Sequence, residues 1–120
     1  MEIKIEMDGD VVILKMIGQL VASTAEELKT QVDKLIGKKY VHLLFDLSKV
    51  DFIDSSGLGA CIAANRLLAG NSGKLICSGL NESVRKLFRL TRADQKISVV
   101  ESRQEALSAL LEQFAKAKKI

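Results

Sequence analysis

The sequence predicts an α/β fold: a single domain with a mixed, mostly parallel sheet, an N-terminal antiparallel hairpin and about four helices. Three observations lead there. Strict alternation in Ile3-Lys4-Ile5-Glu6-Met7 marks a strand with one wet face. Short aliphatic runs such as Val41 to Leu47 mark strands buried on both faces, as parallel sheets require. Between these runs stand segments with apolar residues at helical spacing, so strands and helices alternate.

The hairpin comes first. Asp8-Gly9-Asp10 is a turn signal between the alternating strand and a β-branched run from Val11 to Ile17, which puts the first strand at or near the sheet edge. Ser23 or Thr24 is expected to cap the next helix, with Glu26 and Glu27 in its positive first turn. Ala25, Leu28, Val32, Leu35 and Ile36 form the inward stripe, and Gly37 is the expected stop. Val41 to Leu47 is the central strand. A second helix is expected from about Ser56 to Leu68, ended by Gly70-Asn71-Ser72-Gly73. Leu75 to Cys77 is a short buried strand, and Gly79-Leu80-Asn81 leads into a helix through Val84, Leu87, Phe88 and Leu90. Ile97 to Val100 is the last strand. Glu105 to Ala117 is a closing helix with Ala106, Leu107, Leu110, Leu111 and Phe114 inward. With no proline, repeat or low-complexity linker, residues 1–120 read as one domain whose tail, 115–120, is prone to fraying.

Composition narrows the classes. Hydrophobic residues make up 48% of the 120 but aromatics only 4%, so aliphatic side chains must fill the core. The net charge of +3, from 18 basic and 15 acidic residues, is small, and Arg103, Lys116, Lys118 and Lys119 place part of it near the C-terminus. Without a basic face, with no Trp and one Tyr, a nucleic-acid partner is not expected. Cys61 and Cys77 each sit in an apolar run and read as two reduced core thiols. With one histidine in the chain, neither a metal site nor a cofactor is expected. No apolar stretch approaches the ~18 residues of a membrane span, and Met1 to Met7 does not build a signal peptide, so cytoplasmic residence is expected.

The chemically informative segment is Asp51-Phe52-Ile53-Asp54-Ser55-Ser56-Gly57-Leu58-Gly59, between a buried strand and a helix, where α/β proteins place their sites. It supports two readings. Ser55 or Ser56 can be a plain N-cap, with Gly59 packing the helix on the sheet. Alternatively, free N–H groups and the helix dipole favour an anion there, and Gly57 and Gly59 leave the backbone uncovered for an approaching protein.

Enzyme motifs are missing. Neither serine lies in G-x-S-x-G, and Gly70 to Lys74 lacks the length and the Ser/Thr of a P-loop. His42 lies within a strand and reads as a satisfied or surface imidazole. Asp46, Asp51 and Asp54 suggest a receiver-type aspartyl phosphorylation site, but that chemistry needs Mg²⁺ held by several loops. Glu6 and Asp8 end an edge strand with nothing placing them beside Asp46, so ordinary turn aspartates are expected. The Phe88 and Leu90 stripe reads as core with part left for docking. Lys116-Ala117-Lys118-Lys119 reads as a solvated helix end.

Phe52-Ile53-Asp54-Ser55-Ser56-Gly57-Leu58-Gly59 resembles the signature of STAS-domain anti-sigma-factor antagonists, and the likeness extends over nearly the whole chain. Ile17-Gly18-Gln19-Leu20 and Thr24-Ala25-Glu26-Glu27-Leu28 resemble the family's glycine-x-leucine turn and first helix. Leu44-Phe45-Asp46-Leu47 resembles its central strand and Val84-Arg85-Lys86-Leu87-Phe88 its third helix. The resemblance implies a non-enzymatic switch protein without cofactor. Its unphosphorylated form would bind an anti-sigma factor that is also a serine kinase. Phosphorylation would eject it, and a serine phosphatase would reset it. The phosphoacceptor maps to Ser55 rather than Ser56, and the partner-binding surface to Asp54, Ser55, Ser56, Gly57, Leu58, Gly59, Val21 and Ser23. Two positions depart from the pattern: Val21 replaces the acidic residue of the best-known antagonists, and Arg92 stands where a glycine is usual. The resemblance also admits a different class, a non-switching subunit of a stressosome-like scaffold or a lipid-transport complex, in which Ser55 is only structural.

Overall fold

The computed structural model describes residues 1–118, with Lys118 described by its backbone alone. Strands β1 (Glu2–Asp8) and β2 (Val11–Leu20) form the hairpin, followed by helix α1 (Ala22–Gly37), β3 (His42–Ile53), α2 (Ser55–Gly70), β4 (Lys74–Ser78), α3 (Glu82–Leu90), a 3₁₀ turn at Ala93–Gln95, β5 (Ser98–Val100) and α4 (Arg103–Lys118). The sheet runs in the order β1-β2-β3-β4-β5, antiparallel between β1 and β2 and parallel elsewhere. This is the expected α/β architecture, with the hairpin strand at the edge.

Alternation along β3 divides the core. Leu43, Phe45 and Leu47 join the larger apolar cluster, to which α1, α2 and α3 contribute Leu28, Cys61, Val84 and Phe88. Leu44 points the other way and joins Val11, Ile13 and Ile76 under Ala106 and Leu110 of α4. Three helices thus cover one face, and α4 covers the other. Cys61 and Cys77 are free and buried, as expected, and burial pushes the Cys61 thiol up to about 12.

Several boundaries move. Neither Ser23 nor Thr24 caps α1: Val21 is the N-cap, and Thr24 Oγ1 accepts from the Val21 N–H at 2.9 Å from inside the first turn. The earlier start leaves no acid in that turn, so Glu26 and Glu27 sit beyond its dipole. Gly37 is the last helical residue rather than the stop. Lys39 takes the left-handed position instead (φ 71°), and the Tyr40 N–H returns to the Leu35 carbonyl. β3 continues past Leu47 to Ile53, because Val50 and Ile53 still point into the core while the residues between them face water. α4 starts at Arg103, before the expected Glu105, and is helical from 115 to 118; positions 119 and 120 of the expected fraying tail lie outside the described residues. Its stripe is narrower than expected: Ala106 and Leu110 are buried, Leu107 and Phe114 half-buried, and Leu111 exposed. Arg92 adopts φ 61°, a left-handed geometry that glycine reaches without steric cost.

Candidate functional site

The extension of β3 to Ile53 decides where the motif begins. Asp54 is the one extended residue between strand and helix, so it, and neither serine, caps α2. Its Oδ1 accepts from the Gly57 N–H at 2.9 Å, as an N-cap carboxylate should. Its Oδ2 accepts from the Ala22 N–H at 3.3 Å, the first residue of α1. One carboxylate therefore ties together the positive ends of two helices. The Asp54 N–H in turn donates to the Leu20 carbonyl at 3.2 Å.

With capping assigned to Asp54, Ser55 and Ser56 occupy the first two helical positions, both exposed. Neither hydroxyl has a hydrogen-bond partner among the described residues. Val21 and Ser23 lie at the α1 terminus that Asp54 reaches; Val21 is half-buried and Ser23 exposed. Thr24 fixes this neighbouring turn, its hydroxyl also donating to the Gln19 carbonyl at 2.8 Å.

The glycines exchange their expected roles. Gly57 is buried, and a Cβ on it would lie 2.1 Å from the Leu20 carbonyl oxygen, so it is the residue that lets α2 touch the β2–α1 junction. Gly59 is exposed and a Cβ there would meet nothing. Leu58 is buried beneath the serines. Of the expected partner-binding residues, Val21, Ser23, Asp54, Ser55, Ser56 and Gly59 share the surface around the two helix ends, while Gly57 and Leu58 support it from below.

An apolar feature near this surface was foreseen only in Leu90, the part of the Phe88 and Leu90 stripe left for docking. Phe52, Ile53, Ser83, Val84, Lys86, Leu87 and Leu90 line an open groove of about 270 Å³ between the end of β3 and α3. Phe52 is 50% and Leu90 73% exposed, whereas Phe88 is core. Phe52 opens the motif, and strict alternation from inward Val50 would have turned it inward; the register shift against β2 between Gly18↔Val50 and Gln19↔Phe52 turns it out, which the sequence did not signal.

The other candidates separate. Asp46 is no turn residue: it is buried in β3, receives the Ser48 N–H and hydroxyl at 3.0 and 2.7 Å, and pairs with Arg103 Nη2 at 2.9 Å. Burial pushes its carboxyl up, but the Ser48 hydrogen bonds and the Arg103 guanidinium outweigh that and leave it below the ordinary value. Contrary to expectation, Glu6 is connected to Asp46, because Arg103 Nη1 also meets Glu6 at 2.7 Å. The arrangement is a guanidinium between two carboxylates, and no acidic cluster able to hold a metal occurs among the described residues. His42 is buried, edge-on to Phe114 at 5.4 Å, and far down the strand from the motif. No helix among the described residues is long and apolar enough to cross a membrane.

A five-stranded mixed sheet presenting an open serine pair where two helix N-termini meet defines a small α/β module whose distinctive feature is a surface rather than an enclosed cavity. Residues 2–106 match the model of the STAS domain, and the chain belongs to that family. It is 31% identical over 98 residues to the anti-sigma-B factor antagonist of Listeria monocytogenes, covering 82% of this chain and 85% of that one. The crystal structure of the Thermotoga maritima protein TM1081 superposes with a TM-score of 0.86 at 27% identity, covering 90% and 93% of the two chains. The Bacillus cell fate determinant SpoIIAA in its phosphorylated form shares the fold, with a TM-score of 0.71 at 20% identity over 90% of this chain and 98% of that one.

Proposed function

We propose that this chain is a cytoplasmic anti-sigma-factor antagonist switched by phosphorylation of Ser55. In this reading it is a binding protein and not an enzyme. The unphosphorylated form binds an anti-sigma factor that is also a serine kinase, phosphate on Ser55 releases it, and a serine phosphatase restores binding. The observation that carries the reading is the free, exposed Ser55 hydroxyl at the first position of α2, left unoccupied because Asp54 does the capping. A phosphate there adds about −1.5 to −2 charges at pH 7. The helix terminus tolerates that charge, but a partner surface fitted to a neutral hydroxyl does not. Exposed Phe52 and Leu90, in the groove at the end of β3 that leads into the motif, supply the apolar contact area that such a complex needs.

Pull-downs from native cell extract with the wild type, Ser55→Ala and Ser55→Asp test the proposal. An ATP-binding serine kinase should be retained by the wild type and Ser55→Ala without ATP and lost from Ser55→Asp. Phosphopeptide mapping after ATP addition should place the phosphate on Ser55 and not Ser56. Equal retention by Ser55→Ala and Ser55→Asp would end the switch reading and favour a subunit of a static assembly.

A further inference from the structure

We propose that the outer edge of β1 is a self-pairing surface, through which two copies of this chain join their sheets about a two-fold axis at Ile5. β1 is the first strand of the sheet, so one of its edges has no partner strand among the described residues. Such edges are usually blunted by brevity, proline, a bulge or charged side chains. β1 has only the last, and its charges alternate in sign so that a second copy can match them. It is seven residues long, the chain has no proline, and its register with β2 runs unbroken from Glu2↔Ile17 to Asp8↔Val11. The register shifts of the sheet lie between β2 and β3 instead.

The edge also carries an uncovered apolar ledge. Ile5 and Met7 are 43% and 49% exposed, although their partners across the hairpin, Leu14 and Val12, are completely buried. A second β1 laid antiparallel alongside would extend that face.

Charge selects the register. A two-fold axis normal to a sheet sets odd residues against odd and even against even, so it must pass through one residue of the strand. An axis at Lys4 opposes two lysines, one at Glu6 opposes two glutamates, and one at Met7 sets Glu6 against Asp8. An axis at Ile3 leaves Met7 unpaired. At Ile5 all seven residues pair: Lys4 faces Glu6 twice, Ile3 faces Met7 twice, and Ile5 faces its own copy. Opposite-charge and apolar cross-strand pairs are the stabilising units of a sheet. The one like-charge contact, Glu2 against Asp8, falls at the two outer ends. Lys4 makes no ion pair among the described residues and so has a free charge to offer. Glu6 is held on its face by Arg103.

Sedimentation over a dilution series, together with single-cysteine crosslinking of the full chain, tests this register. Wild-type protein should show a concentration-dependent dimer, and Ile5→Lys, which sets two like charges at the axis, should weaken it about tenfold. Under diamide, Ile5→Cys should form an intermolecular disulfide, since facing Cα atoms lie within bridging distance. Ile3→Cys and Met7→Cys should not crosslink alone, each being ~13 Å from its own copy, but should crosslink when mixed. Buried Cys61 and Cys77 stay silent. A chain that remains monomeric throughout, or Ile3→Cys crosslinking as fast as Ile5→Cys, would overturn the proposal and leave this edge to a strand from another protein.

Discussion

Gly57 and Gly59 stand two residues apart in the first turns of α2 and answer to different constraints. Gly57 has no room for a Cβ beside the Leu20 carbonyl, so Gly57→Ala must push α2 off the β2–α1 junction. Overpacking of this kind costs about 1–3 kcal/mol or more. Gly59 faces open space within a helix, so Gly59→Ala should stabilise by about 0.5–1 kcal/mol through the backbone entropy it removes. Urea unfolding of the two variants checks the contrast; equal effects would show that α2 does not rest on Leu20 as described. The motif's position was legible in the sequence, and its internal division of labour was not. A serine at a strand-to-helix junction is a good cap in general, but here β3 continues to Ile53, and that shifts every role by one residue. The continuation rests on Val50 and Ile53 reaching the core, a tertiary fact that the polar intervening residues concealed.

At the scale of elements, α4 is the part that sequence described least well and that pH tests most directly. Its existence followed from the spacing of Ala106 and Leu110, yet its anchoring did not, because Arg103 sits far along the chain from both Glu6 and Asp46. Two titrating groups on β3 lie under it. Burial lowers the His42 pKa, so the folded state holds a neutral ring against Phe114 while the unfolded chain takes up a proton near the ordinary 6.5. The unfolded state then binds more protons, and stability falls as pH drops below that value. Asp46 is depressed in the folded state, so its contribution is present above the ordinary 3.8 and is lost as pH falls through its folded value. His42→Phe should therefore flatten the stability profile between about pH 7 and 5 while leaving the acid-side loss in place. Asp46→Asn should flatten the acid side and leave the histidine window. Denaturant titrations across pH measure both; an unchanged slope in His42→Phe near neutrality would mean that the ring is not the group being sensed.

For the whole molecule, the division into a face with three helices and a face with one bears on how a change at Ser55 is felt. Ser55 is exposed, its neighbour Asp54 spans α1 and α2, and the α4 face lies across the sheet with its own cluster. A negative charge at the first position of α2 gains about 0.3–1 kcal/mol from the helix dipole. Repulsion from Asp54, at a few ångströms in water, costs on the order of 1 kcal/mol. The two nearly cancel, and no desolvation is added because the position is open. Ser55→Asp should consequently melt within about 3 °C of the wild type, given the roughly 4 °C per kcal/mol of a domain this size. Its amide shifts should change only around residues 19–24 and 52–59. In this account the switch works by altering what the surface presents to a partner, with the core a rigid support. Shifts spreading through β4, β5 and α4, or a melting point lowered by far more than this, would show instead that charge at Ser55 rearranges the sheet and that release proceeds through the fold.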